Sequence, residues 1–90
     1  MGQVKRLIPN RLHIHRRQLE YKQKHVAHLI GLKNPAELCR WEKGTMLPNA
    51  DNLLKLCILY RTTPQELYGE YMNSLRQDIF NKEIRLDRDS

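Results

Sequence analysis

Residues 23–44 read QKHVAHLIGLKNPAELCRWEKG, and the grammar of this stretch decides the fold. Val26, Ala27 and Ile30 fall on one face of a helix predicted over residues 23–30, with Gln23, Lys24, His25 and His28 on the other. Ala27 has no bulk, so a neighbouring helix can pack closely over it. Gly31 ends the helix, because glycine enters the left-handed region without a Cβ clash. Leu32 is then positioned to return to the core, and Lys33 is left in the turn. A second start signal follows at once: Asn34 as N-cap, Pro35 in the first helical position and Glu37 two residues on, where it can reach back to the Asn34 amide. Leu38 and Trp41 form the inward stripe of this second helix. Ala36, Arg40 and Lys43 line its outward face, and Gly44 closes it. A helix of about two turns is not stable alone, so Leu38 and Trp41 must anchor it to the rest of the domain.

Charge is distributed unevenly around this centre. The 90 residues carry a net charge of +6, but residues 1–45 hold ten Lys and Arg against three Asp and Glu, whereas residues 46–90 hold six against seven. A basic half on a near-neutral scaffold is the composition of a nucleic-acid-binding surface, although charge alone also fits a merely soluble basic protein. No apolar run approaches the ~20 residues of a membrane span. The N-terminus lacks a signal-peptide core, and Arg6 stands where a myristoylation motif requires Ser or Thr, so a cytoplasmic location is expected. Cys39 and Cys57 lie on core or near-core helix faces and read as small hydrophobes in a reducing compartment, with no CxxC motif to suggest a reactive pair.

Outward from the centre, residues 1–8 (MGQVKRLI) form a short basic arm, read as a frayed terminus with Ile8 tucked down. Pro9-Asn10 opens a first helix to about Glu20, with Ile8, Leu12 and Leu19 inward and Arg16 on the same stripe. A charge on a buried stripe needs a partner. His13 and His15 fall on different faces. His25 and His28 share one but lack two further ligands at a plausible spacing, so no metal site is expected. Residues 45–48 form a loop. Asn49 then caps a fourth helix over residues 50–60, whose Leu53, Leu54, Leu56, Cys57 and Tyr60 make it the central helix of the core. Ile58 and Leu59 widen that stripe toward a subunit contact. Thr63-Pro64-Gln65-Glu66 repeats the start signal for a fifth helix, docked by Leu67 and Tyr68, with Gly69 as its end or a bend. Beyond it, Tyr68, Met72, Leu75, Ile79 and Leu86 recur at a spacing of three and four, with Lys82 breaking the stripe and Tyr71, Phe80 and Ile84 beside it. That is more apolar surface than a finished five-helix core requires. The segment folds back on its own domain or packs against another chain, the second being the favoured reading, and residues 87–90 read as frayed.

Two helices joined by a turn containing glycine make a helix-turn-helix. Gln23, Ala27, Gly31, Arg40, Glu42 and Gly44, followed by Pro48, resemble the Cro/phage-repressor type of this motif, also called XRE-like. Its pattern is roughly Q-x-x-L-A-x-x-x-G, a turn, then x-R-x-E-x-G and a proline. The resemblance continues through Leu53, Leu54, Leu56 and Pro64-Gln65-Glu66-Leu67, covering residues 8–70. The turn after Gly31 is one residue longer than the usual pattern, so positions are carried across by counting back from Glu42. The resemblance implies an all-α, five-helix lambda-repressor-like DNA-binding domain over residues 9–70, with an additional C-terminal amphipathic helix at residues 71–90. It also implies that Arg16 pairs with Glu42, tying the first helix to the end of the third, and that the arm at residues 1–8 reaches a DNA groove in some relatives.

A recognition helix over residues 35–43 in the major groove would read bases near its N-terminal end. The positions expected to face base edges are Asn34, Ala36 and Arg40, with Glu37 as a further contact. Arg40 suits guanine, Asn34 adenine, Ala36 a thymine methyl and Glu37 a cytosine amino group. Gln23, as its counterpart does in the resembled family, would hydrogen-bond a phosphate; Lys24, Lys33, Lys43 and Arg17 read as further phosphate contacts. The expected function is a transcriptional regulator binding double-stranded DNA as a homodimer on an inverted repeat. The alternative is an antitoxin-like DNA-binding protein whose C-terminal helix holds a protein partner. No Ser/His/Asp set, phosphate-cradling glycine loop or paired carboxylates are present, so neither catalysis, a cofactor nor a small-molecule substrate is expected.

Overall fold

The computed structural model describes residues 6–89, and the greater part of the basic arm lies outside them. Five helices follow in order: α1 (Leu12–Gln18), α2 (Gln23–Leu29), α3 (Ala36–Lys43), α4 (Ala50–Tyr60) and α5 (Pro64–Asp89). No strand occurs among the described residues. The core is assembled from one or more residues of every helix: Leu12, Val26, Ile30, Leu38, Trp41, Leu56, Cys57, Tyr60, Leu67 and Tyr68. Leu38 is fully buried and Trp41 is 2% exposed, so the inward stripe of α3 anchors this short helix as its spacing requires.

All four short helices end in the same way. After each, one residue enters the left-handed region and the next amide reaches back five residues. The bonds are Tyr21 to Arg16 (3.3 Å), Leu32 to Ala27 (2.7 Å), Thr45 to Arg40 (3.0 Å) and Thr62 to Cys57 (3.0 Å). These are Schellman turns, which satisfy carbonyls the helix leaves open. Gly31 (φ 85°) and Gly44 (φ 83°) adopt the conformation freely, whereas Glu20 (φ 59°) and Arg61 (φ 55°) do so against a steric penalty. The Lys55 ammonium also donates to the Ile30 carbonyl at 3.1 Å, placing positive charge at the negative end of α2.

Several boundaries differ from those expected. α1 starts at Leu12 rather than at Pro9-Asn10, because Asn10 Oδ1 accepts from the Leu12 amide at 3.1 Å and so caps the helix from outside. Residues 8–11 form a strap instead. The Ile8 amide donates to the Gly44 carbonyl (2.8 Å) and the Arg11 amide to that of Leu67 (2.8 Å). Asn10 Nδ2 lies within bonding distance of the carbonyls of Ile8 (3.1 Å), Trp41 (3.1 Å) and Glu42 (3.3 Å). Ile8 is therefore tucked down onto the domain as expected, although from a strap and not from a helix. Leu54, expected in the core, is 58% exposed, because α4 buries only the face carrying Leu56, Cys57 and Tyr60.

The largest difference lies at the C-terminus. The fifth helix and the additional helix are one element of 26 residues, broken only by a kink at Tyr68 (φ −130°, ψ 30°), and not ended at Gly69. Helix continues to Asp89, through residues expected to fray. Thr63 Oγ1 caps the start, accepting from the Glu66 amide at 3.1 Å. Tyr71 and Met72 pack against the core, but Leu75, Ile79, Phe80 and Leu86 are exposed, so this helix does not fold back on its own domain.

Candidate nucleic-acid interface

The two sides of α3 have opposite tasks. Leu38 and Trp41 point into the core, while Ala36, Glu37, Arg40 and Lys43 are exposed. Asn34, just before the helix, is also exposed. Its Oδ1 accepts from the Ala36 amide at 2.9 Å, so Asn34 is the functional cap although regular helix starts at Ala36. Pro35 (φ −80°, ψ 7°) stands just outside the helix, because its ring-fixed φ is helical but its ψ is not. Glu37 forms no hydrogen bond or ion pair among the described residues; the Asn34 oxygen supplies the cap alone.

The packing of α3 rests on a polar cluster behind it. Arg16 Nε donates to Glu42 Oε2 at 2.7 Å and its Nη2 to Oε1 at 3.2 Å, a two-pronged pair whose side chains are 12% and 6% exposed. Arg16 Nη1 donates to the Tyr21 carbonyl at 2.9 Å, which locks the turn after α1. Gln23 Nε2 donates to Glu42 Oε1 at 2.9 Å. One carboxylate therefore joins α1, α2 and α3, and the bond to it holds the Arg16 pKa above its ordinary value. Sequence reasoning placed Gln23 facing a phosphate. In the free protein one of its two amide N–H groups is committed to Glu42, which leaves the other for an external acceptor.

The remaining basic positions are solvent-facing. Arg17 on α1, Lys24 on α2, Lys33 in the turn, and Arg40 and Lys43 on α3 are all exposed, and none is ion-paired among the described residues. His25 is used locally: its Nδ1 accepts from the Lys22 amide at 3.2 Å at the start of α2. Among the described residues, no three His, Cys, Asp or Glu side chains are grouped to hold a metal ion. No described helix is long and apolar enough to cross a membrane. Sequence reasoning missed Asn10 as a hub. Its three acceptors come from distant backbone, and the only local signal was an Asn in front of a helix.

A short helix with one buried and one exposed face, placed behind a capped turn and flanked by unpaired cations, defines a helix-turn-helix DNA-binding protein. A family model described as helix-turn-helix matches residues 12–67, more than half of the chain. The chain belongs to that family, in its Cro/phage-repressor (XRE-like) form. No curated protein and no solved structure matches the chain significantly.

Proposed function

We propose that this protein is a sequence-specific transcriptional regulator that lays α3 in the major groove of operator DNA and acts as a homodimer on an inverted repeat. The observation that carries this reading is the exposed, unpaired Arg40 in mid-helix, on the same face as Ala36 and Lys43 and opposite the buried Leu38 and Trp41. Arg40 donates in a fork to guanine O6 and N7, Ala36 meets a thymine methyl, and Glu37 accepts from a cytosine amino group. Asn34 has a divided role. Its Oδ1 already serves the α3 cap, so its free Nδ2 is the group offered to a base, and two-pronged reading of adenine would compete with the cap. Arg17, Lys24, Lys33 and Lys43, with the second Gln23 N–H, hold phosphates and set the register.

The test is selection from random duplexes with sequencing, on wild type and variants, at two salt concentrations. Arg40→Ala should degrade one symmetric base position and weaken binding by about 1–3 kcal/mol. Lys24→Ala should weaken all sequences alike and lower the salt slope by about 1. Weak binding with no enriched motif would reduce the surface to a general polyanion binder.

The exposed apolar side chains of α5 also support a second reading, an antitoxin-like protein whose α5 holds a different chain. A toxin-like protein that co-purifies stoichiometrically and competes with self-association would favour it.

A further inference from the structure

The charges flanking the exposed stripe of α5 carry information about what covers it. Written as a heptad, the stripe places Ile79 and Leu86 at a, with Leu75 and Lys82 at d, while Met72, at the preceding a, is packed against the core. The flanking e positions then hold Arg76 and Glu83, and the g positions hold Asp78 and Arg85. In a parallel pair of identical helices, g faces the following e of the other chain. Asp78 would then meet Glu83 of the second copy, twice over by symmetry, and the two Lys82 ammonium groups would share a layer. In an antiparallel pair, e faces e and g faces g. The register that sets Leu75 against Leu86 of the second copy matches all four flanking pairs, Arg76 with Glu83 and Asp78 with Arg85 in each direction. Sliding by one heptad instead brings Arg76 against Arg76 and Asp78 against Asp78.

We infer that α5 dimerises with a second copy of this chain in that antiparallel register, an inference that rests on the homodimer reading above. Lys82, which falls opposite Ile79 of the second copy, is already held for this arrangement. Its ammonium lies 3.2 Å from Asp78 Oδ2 on the rim, so its methylene stem can cover the seam while the charge stays wet. A shallow groove lined by Met72, Leu75, Arg76, Ile79, Phe80 and Glu83 runs along the same side of the helix. The two-fold axis then passes between residues 80 and 81, some twelve residues beyond the Tyr68 kink. At ~1.5 Å per residue this sets the roots of the two DNA-binding domains roughly 38 Å apart, at opposite ends of the paired helices.

Sedimentation equilibrium of the full chain without DNA tests this, because the register makes opposed predictions for single charge reversals. Glu83→Arg and Arg76→Glu are both at exposed positions, and circular dichroism will check that each variant remains folded. Each alone should raise the dimer dissociation constant about tenfold, by turning two exposed attractions into repulsions. An equimolar mixture of the two variants should recover wild-type affinity, since every e–e contact is again of opposite sign. A parallel pair would instead be tightened by Glu83→Arg, through Asp78, so tightening or no change overturns the antiparallel register while leaving the dimer standing. A wild-type dimer that survives Ile79→Asp unchanged shows that another surface is used, and overturns the inference. A chain that stays monomeric at every concentration overturns both the inference and the homodimer reading, whereas DNA recognition by α3 is judged separately by the duplex selection.

Discussion

Glu42 is the residue on which the helix-turn-helix geometry turns. Its carboxylate accepts two bonds from Arg16 and one from Gln23, in a site where little water can replace a lost partner. Glu42→Ala should therefore destabilise the domain by about 3 kcal/mol in urea denaturation, mostly because the partly buried Arg16 charge loses its counter-ion and keeps only the Tyr21 carbonyl. The double variant Arg16→Met/Glu42→Met should lose less than the sum of the single variants. Gly44 is constrained twice. Its φ of 83° disfavours a side chain, and an added Cβ would stand 2.4 Å from the Ile8 carbonyl oxygen, which is fixed backbone. Gly44→Ala should displace the strap and cost more than about 1 kcal/mol of stability. Tyr60 and Tyr68 are buried, and neither hydroxyl has a hydrogen-bond partner among the described residues. Burial pushes the Tyr68 pKa up to about 12, and pushes that of Tyr60 up as well, with Glu42 adding to it. An unfolded tyrosine ionises at about pH 10, so above that pH the unfolded chain releases protons the native chain still holds. Their contribution is thus fully present below pH ~10 and is lost as pH rises toward ~12. Tyr60→Phe/Tyr68→Phe should flatten that alkaline decline in thermal melts, with no loss of stability at neutral pH.

Among the elements, the helix ends show which turns are relaxed and which are strained. Gly31 and Gly44 suit their left-handed positions, but Arg61 holds the same geometry at φ 55° with an exposed side chain. Arg61→Gly should raise the stability of the α4–α5 connection by about 0.5–1 kcal/mol, readable as a higher urea midpoint. Gly69 is the opposite case. It sits inside α5 with open space around an added Cβ, so Gly69→Ala should stabilise the helix by about 0.5–1 kcal/mol. A larger gain would show that the kink at Tyr68 depends on its glycine neighbour. A loss would show that the kink itself is needed for packing.

For the whole molecule, α5 sets the shape. The Cα radius of gyration is 16.0 Å, against about 12 Å for a compact chain of this length, and the principal extents are 51 × 38 × 21 Å. A helix of 26 residues spans about 39 Å, and only its first turns are packed on the core. The remainder presents Leu75, Ile79, Phe80 and Leu86 to solvent, an arrangement that a lone chain gains nothing from. Ile79→Asp should abolish concentration-dependent association without lowering the melting temperature of the dilute protein. A fall in the dilute melting temperature would mean that Ile79 supports the domain itself.

The sequence by itself determined the all-α class, the three caps at Asn34, Asn49 and Thr63, both glycine stops and the division of α3 into a buried and an exposed face. Each depends on residues within one or two turns of one another, where periodicity and capping chemistry act directly. The exposure of Asn34, Ala36, Glu37 and Arg40 follows from the same local pattern. Only the tertiary structure decided the rest. Asn10 became a hub because the backbone of α3 passes over it, Gln23 turned toward Glu42 because α2 and α3 cross there, and Leu54 stayed outside because α4 buries a narrower face than its composition offers. The long α5 was hidden for a related reason. Gly69 reads in the sequence as either an end or a bend, and the choice between them, a helix kinked at Tyr68 that runs on, depends on what Tyr68 and Tyr71 pack against.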